Sequence, residues 1–201
     1  LTAATVLEEK TKGHNLVYPL AYTSRKMLIV GEALGADEDI NSQYFCGKAG
    51  SLLDKLLTDV GLMRNTIHVT NVVKVRPPDN KLSRLQEYNL SIEDFIPFLK
   101  EEIETIKPTV ILALGATALN ALCEETGILK QRGSVLECTL VPGIKVVPTL
   151  HPSYLQRGQM DLYPYVRHDI KIFAEIGFGF YTPEVEWQEI IDPTLTQCLD
   201  Y

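Results

Sequence analysis

The sequence predicts an α/β fold in which a parallel sheet is covered by helices on both faces. Three observations carry that expectation. Four short apolar runs rich in β-branched residues, at 27–30, 67–73, 109–114 and 145–150, have the length and composition of fully buried strands. Helical periodicity lies between or after them, at 51–60, 96–106, 116–126 and 165–176. Strands that alternate with helices require crossover connections, and crossovers set neighbouring strands parallel.

In chain order, residues 1–25 carry the weakest pattern. Val6, Leu7, Leu16, Val17 and Leu20 suit a short helix and lead-in, an N-terminal extension packing on the core. The main domain is expected over 26–177. Its first strand runs into a twenty-residue loop, 31–50, containing Gly31, Glu32, Ala33, Gly35, Asp37, Glu38, Asp39, Phe45, Gly47 and Gly50. A loop of that length inside a compact domain is functional or disordered, and apolar anchors at both of its ends point to function. In the helix at 51–60, Leu52, Leu53, Leu56, Leu57 and Val60 share a face. Ser51 and Asp54 have capping-box spacing and Gly61 supplies the stop. Pro97 takes the first helical position of 96–106. The last two helices are expected to end at Gly127 and Gly177, and 178–201 reads as an acidic tail or a linker to a further domain.

Composition narrows the class. A chain of 201 residues with 45% hydrophobic and 22% charged residues has room for a full core. It contains no run of eighteen apolar residues, so no membrane span is expected. The N-terminus shows neither a basic n-region nor an apolar h-region, so no secretory signal is expected either, and the expected location is cytoplasmic. The chain does not begin with Met, which fits processing or a piece of something longer. The net charge of −7 argues against a histone-like electrostatic binder, but five acidic and no basic residues fall in 178–201, leaving −2 for the rest. A near-neutral body can bind DNA through a local basic stripe. Cys46, Cys123, Cys138 and Cys198 have no metal-ligand spacing and read as reduced thiols.

In parallel α/β sheets, ligands bind beyond the carboxyl ends of the strands. That rule gathers Gly31, Glu32, Ala33 and Gly35 from the first strand, Asn71, Lys74 and Arg76 from the second, Gly115 from the third, and His151, Ser153, Leu155 and Arg157 from the fourth. GEALG is neither a P-loop nor GxGxxG, no second histidine or spaced carboxylate accompanies His151 for zinc, and GxSxG is absent. An amide (Asn71), an aromatic plate (Phe45) and one imidazole (His151) remain. That set suits holding a planar, neutral base.

Four ordered stretches, GEALGADED with YFCGKAGSLLD, then VTNVVKVRPPDN, IKPTVILALGATA and VVPTLHPSYL, resemble the family 4 uracil-DNA glycosylases over residues 27–176. The resemblance implies a three-layer α/β/α sandwich with a four-stranded parallel central sheet. It also implies excision of a flipped-out uracil from DNA, leaving an abasic site. By the same resemblance Phe45 stacks on the base, Asn71 reads its edge and His151 bonds uracil O2. Leu155 is the apolar wedge, and Ser153 and Arg157, with backbone N–H groups near Gly50 and Ser51, contact phosphates. Ala33 stands where other glycosylase families place a water-positioning aspartate, which makes Glu32 the candidate for holding water. Its alternative role is structural, within its own loop. The acidic run 37–39 reads as solvated or loop-capping. Leu34 replaces the family's proline, which points to a less preorganised loop.

The family commonly carries a four-cysteine iron–sulfur cluster. Here residues 1–25 lack cysteine, and Val75 and Phe95 stand at the two other ligand positions. No cluster is expected, packing having replaced it. Glycosylase-like domains also occur fused to phage-type DNA polymerases, and the acidic tail resembles a lead-in to a further domain. The alternative is therefore a weakly active or inactive DNA-binding, uracil-sensing module joined to or associated with replication machinery, in bacterial host cytosol if phage-encoded.

Overall fold

In a computed structural model of the chain, residues 2–18 and 25–182 are described. Leu20, Cys198 and the acidic tail beyond 182 lie outside the described residues. The sheet is built from β1 (Met27–Gly31), β2 (His68–Asn71), β3 (Val110–Leu114), β4 (Leu136–Glu137) and β5 (Lys145–Thr149), in the order β2-β1-β3-β5-β4. The four expected strands pair in parallel; the two-residue β4 adds an antiparallel edge on β5. So short a strand has no apolar periodicity to read, and short edges of this kind limit unwanted pairing.

Eight α-helices among the described residues complete the fold: α1 (Ala3–Lys10), α2 (Ala36–Asn41), α3 (Lys48–Thr58), α4 (Ile96–Ile106), α5 (Ala116–Cys123), α6 (Ile128–Gln131), α7 (Pro152–Gln156) and α8 (Tyr163–Phe178). Alternation of side chains along each strand divides the core in two. Ile29, Leu112 and Val147 pack with Leu53, Leu56 and Leu57 of α3 and Ile170 and Phe173 of α8. Leu28, Val30, Ile111 and Val146 pack on the other face with Leu99 and Ile103 of α4 and Leu119 and Leu122 of α5. This is the three-layer sandwich. With both faces covered, β1, β2 and β3 are buried at every position, hence the unbroken apolar character of β1 and β3; β2 instead buries the polar His68, Thr70 and Asn71. The N-terminal extension joins the second cluster through Leu7 and the first through Val17.

Several boundaries differ from expectation. α3 begins at Lys48, with Gly47 at its N-cap and no side-chain cap. Ser51 therefore lies inside the helix, where its N–H donates to Gly47 O at 3.1 Å, and Asp54 pairs with Arg64. The capping box does not form. α5 stops at Cys123 because Glu124 takes the left-handed cap. α8 continues past Gly177, where Met27 packs against the bare Cα, to a left-handed cap at Gly179. The long loop contains α2, whose first turn holds Asp37, Glu38 and Asp39, where carboxylates favour the helix dipole. Leu34 is 1% exposed, so its side chain anchors the loop in the core where the family has proline.

Candidate active site

The carboxyl ends of β1, β2, β3 and β5 open into a cavity of about 540 Å³, a size that suits a small planar ligand. Glu32, Ala33, Gly35, Phe45, Asn71, His151, Ser153 and Arg157 line it together. Gly31, Gly50, Ser51 and Leu155 do not.

Asn71 ends β2 in register with Gly31 of β1. A Cβ added to Gly31 would stand 2.3 Å from Asn71 Oδ1 and 2.7 Å from Phe45 Cζ. The bare Cα is what lets an amide and a ring meet at the floor of the cavity. Asn71 is 2% exposed, and its Oδ1 has no hydrogen-bond partner. A buried unsatisfied acceptor costs about 1–3 kcal/mol, so this oxygen is poised for a donor. The Asn71 main-chain carbonyl is held from below by Lys74, whose Nζ donates to it at 2.5 Å, to Thr70 Oγ1 at 2.6 Å and to Glu102 Oε2 at 2.5 Å. Burial pushes the Lys74 ammonium down and the Glu102 carboxyl up in pKa, each opposed by the partner's charge.

Phe45 is buried, and its ring lies 5.8 Å from that of His151 at an interplanar angle of 27°. Its φ of +53° is left-handed, a conformation that costs a non-glycine residue on the order of 1–3 kcal/mol. The stacking surface is thus presented by a strained turn.

His151 caps α7. Its Nδ1 accepts the Ser153 N–H at 3.2 Å and lies 2.9 Å from Ser153 Oγ. With Nδ1 an acceptor, the ring proton sits on Nε2. Burial, and then the charge of Arg157, hold the imidazole down to about 4. At neutral pH His151 is an uncharged N–H donor.

Glu32 is held from outside its own loop: Thr117 Oγ1, in the first turn of α5, donates to Glu32 Oε2 at 2.5 Å. Glu38 closes the loop by accepting the Gly47 N–H at 3.1 Å. Asn80 and Leu129 are among the lining residues that escaped the sequence reading. Asn80, in a left-handed turn, accepts from Arg76 Nε at 2.8 Å through Oδ1 and lines the cavity. Leu129 of α6 also lines the cavity while 63% exposed. Adjacent left-handed residues and an exposed leucine leave no periodic trace.

Three site expectations are corrected. Leu155 is 0% exposed within the first core cluster, so it is not available as a wedge; the short α7 turns it inward. The Ser51 N–H is bonded within α3 and unavailable to a phosphate, because that helix starts a turn early. Gly50 is buried against the Phe45 carbonyl rather than facing the cavity. Ser153 directs its N–H to His151 and lies beside the ring through its hydroxyl, which makes it a holder of the imidazole.

The residues present do not fit a four-cysteine cluster. Val75 and Phe95 are wholly buried in the second apolar cluster. Among the described residues no group of three or more His, Cys, Asp or Glu side chains is placed to hold a metal. Cys46, Cys123 and Cys138 are free thiols, and burial pushes Cys123 up to about 12. No helix of the described residues is long and apolar enough to cross a membrane.

The strand ends of this sheet bring an amide, a ring and a neutral imidazole around one cavity, which defines an α/β protein with a site suited to a planar polar ligand. The family profile of the uracil DNA glycosylase superfamily matches residues 20–173, and the chain belongs to that superfamily of DNA glycosylases. Within it, similarity runs to type-4 enzymes. The chain is 39% identical over 147 residues to the type-4 uracil-DNA glycosylase of Thermotoga maritima, covering 72% of this chain and 73% of that one. It is 35% identical over 158 residues to that of Archaeoglobus fulgidus, covering 75% and 77%. A DNA polymerase of Bacillus phage SP01 is 30% identical over 155 residues, which is 77% of this chain but 16% of the polymerase.

Proposed function

We propose that this chain hydrolyses the N-glycosidic bond of a deoxyuridine flipped out of DNA, leaving an abasic site and free uracil. The observation that carries the reading is the buried, unpartnered Asn71 Oδ1 in one cavity with the Phe45 ring and the neutral His151. Extrusion of the base costs a few kcal/mol, least for weak pairs. The Phe45 ring then stacks on uracil. Asn71 Oδ1 accepts from N3–H and Nδ2 donates to O4; cytosine presents the opposite pattern and leaves buried groups unpaired.

As the C1′–N1 bond breaks, its electron pair passes to N1 and spreads to O2, where the His151 Nε2–H donates. Water adds to the oxocarbenium-like C1′, and the proton it releases neutralises the uracil anion, giving free uracil and the C1′ hydroxyl of the abasic site. Glu32, oriented by Thr117, is the group that holds that water. Arg157, at the rim, suits a phosphate. No step uses a cluster, and purified protein is expected to hold no iron; stoichiometric bound iron would refute this.

The test is strand scission by alkali after incubation with single- and double-stranded uracil oligonucleotides. Scission at the uracil is expected, falling about 10²-fold in kcat/KM for Asn71→Ala, which removes both edge bonds. The polymerase similarity favours a second reading, a DNA-holding module of a replication protein. That reading requires salt-sensitive DNA binding with no abasic product.

With Leu155 buried, Leu129 is the apolar side chain at the rim suited to enter the base stack. A wedge acts only where a stack must be opened. Leu129→Ala is therefore expected to slow excision from duplex roughly tenfold, the effect of losing most of one leucine contact, and to leave single-stranded substrate unchanged. Equal effects on both substrates would remove Leu129 from this role.

A further inference from the structure

We propose that Arg64, braced by Asp54, is a positioning residue for the base-stacking ring, locking the Phe45 backbone in the left-handed turn that carries the ring into the cavity. The proposal rests on the excision reading for its kinetic arm only. The Arg64 guanidinium spans two elements. Its Nη1 donates to the Phe45 carbonyl, while Nε and Nη2 fork onto the Asp54 carboxylate of α3 at 2.9 and 3.0 Å. The same carbonyl also presses on α3 at Gly50. A Cβ there would lie 1.7 Å from Phe45 O and 3.0 Å from Arg64 Nη1. Glycine, arginine and the strained carbonyl converge on one point.

A left-handed backbone is unfavourable for phenylalanine, because Cβ crowds the following carbonyl. It persists only where its surroundings over-determine it. Here the grip on the carbonyl supplies that constraint. Neither Arg64 nor Asp54 lines the cavity, so any effect of theirs on the base passes through Phe45. The fork requires arginine: lysine can reach one acceptor but cannot hold a carboxylate bidentately while bonding a carbonyl at a fixed angle. Read from sequence alone, Arg64 is one of several scattered cations, ten residues beyond Asp54 and nineteen beyond Phe45.

The experiment is a double-mutant cycle on the full chain, with Arg64→Met and Arg64→Lys made alone and in the Phe45→Ala background, read by single-turnover uracil excision. Arg64→Met is expected to lower kcat/KM on the order of tenfold in the wild-type background and to have no further effect once Phe45 is alanine. Arg64→Lys should fall between. A loss of equal size in both backgrounds would assign Arg64 a general structural role and overturn the proposal. So would unchanged excision in a folded Arg64→Met protein. Backbone NMR of Phe45 supplies a readout that needs no turnover: Cα and Cβ shifts that report positive φ in wild type and lose it in Arg64→Met support the clamp. Retention of positive φ refutes it. An inactive wild type would sink the excision reading and leave the clamp to be judged by those shifts.

Discussion

His151→Ala is expected to lower kcat for uracil excision by about 10²–10³-fold with little change in KM, the loss that follows removal of one preorganised donor aimed at a developing anion. The asymmetry between kcat and KM has a structural origin. Uracil O2 is a weak, neutral acceptor in the ground state and takes up charge only as N1 departs, so the Nε2–H bond strengthens along the reaction. The donor needs no proton from solvent, because Ser153 holds Nδ1 as an acceptor. With the imidazole held down to about 4 by burial and Arg157, His151 stays neutral through the range where a free histidine, near 6.5, would change charge. Excision should therefore show no histidine step near pH 6.5. Folding stability should carry the opposite signature. Between roughly 4 and 6.5 the unfolded chain binds the proton that the folded one refuses. The contribution of this site is thus complete above 6.5 and is lost as pH falls toward 4. His151→Ala should flatten that slope, while costing about 0.5–2 kcal/mol for the lost cap of α7. A pH–rate profile with a wild-type step near 6.5 that alanine abolishes would contradict the neutral-donor account.

Which parts of this molecule could be read from its sequence follows from how each part is held. The parallel strands β1 and β3 were legible because both of their faces are covered, which leaves unbroken apolar runs such as Leu28 to Val30, whereas β2, with polar Thr70 and Asn71, was legible from the Ile67, Val69, Val72 and Val73 around them. Phe45, Asn71 and His151 were legible because two of them lie at strand ends and the third in a long glycine-rich loop between apolar anchors. Parallel sheets open at one edge, so these positions had to meet. The direction of a side chain on a short helix was not legible. Position in a motif located Leu155, but the five-residue α7 turns it into the core. Ser51 failed for a related reason: the helix starts at Lys48, where the bare Cα of Gly50 lets α3 settle on the Phe45 carbonyl, a contact with no local periodicity. Nor did the sequence distinguish Lys74, fully buried, from the solvated lysines around the surface. Its partner Glu102 lies twenty-eight residues away on α4.

That buried pair gives the largest expected effect on stability. Glu102→Ala should cost about 3–5 kcal/mol, because it strands an ammonium in an apolar interior. Lys74 is already pushed down by burial, with the Glu102 charge opposing that push. Without the carboxylate the lysine sheds its proton more readily. The variant's stability should then rise with pH toward the ordinary lysine value, since below it the unfolded chain binds a proton that the folded one does not. Replacing both partners, Lys74→Met with Glu102→Leu, should recover most of the loss, since well-packed apolar side chains of similar volume commonly match a buried ion pair in stability. The recovered fold should still excise uracil roughly tenfold more slowly, because the Asn71 main-chain carbonyl loses the charged donor that fixes it beneath the reading amide. Urea unfolding from pH 6 to 9, together with single-turnover excision by the double variant, separates the two roles. Full activity in a stable double variant would show that the ion pair serves the fold alone, and that β2 and Gly31 suffice to aim Asn71.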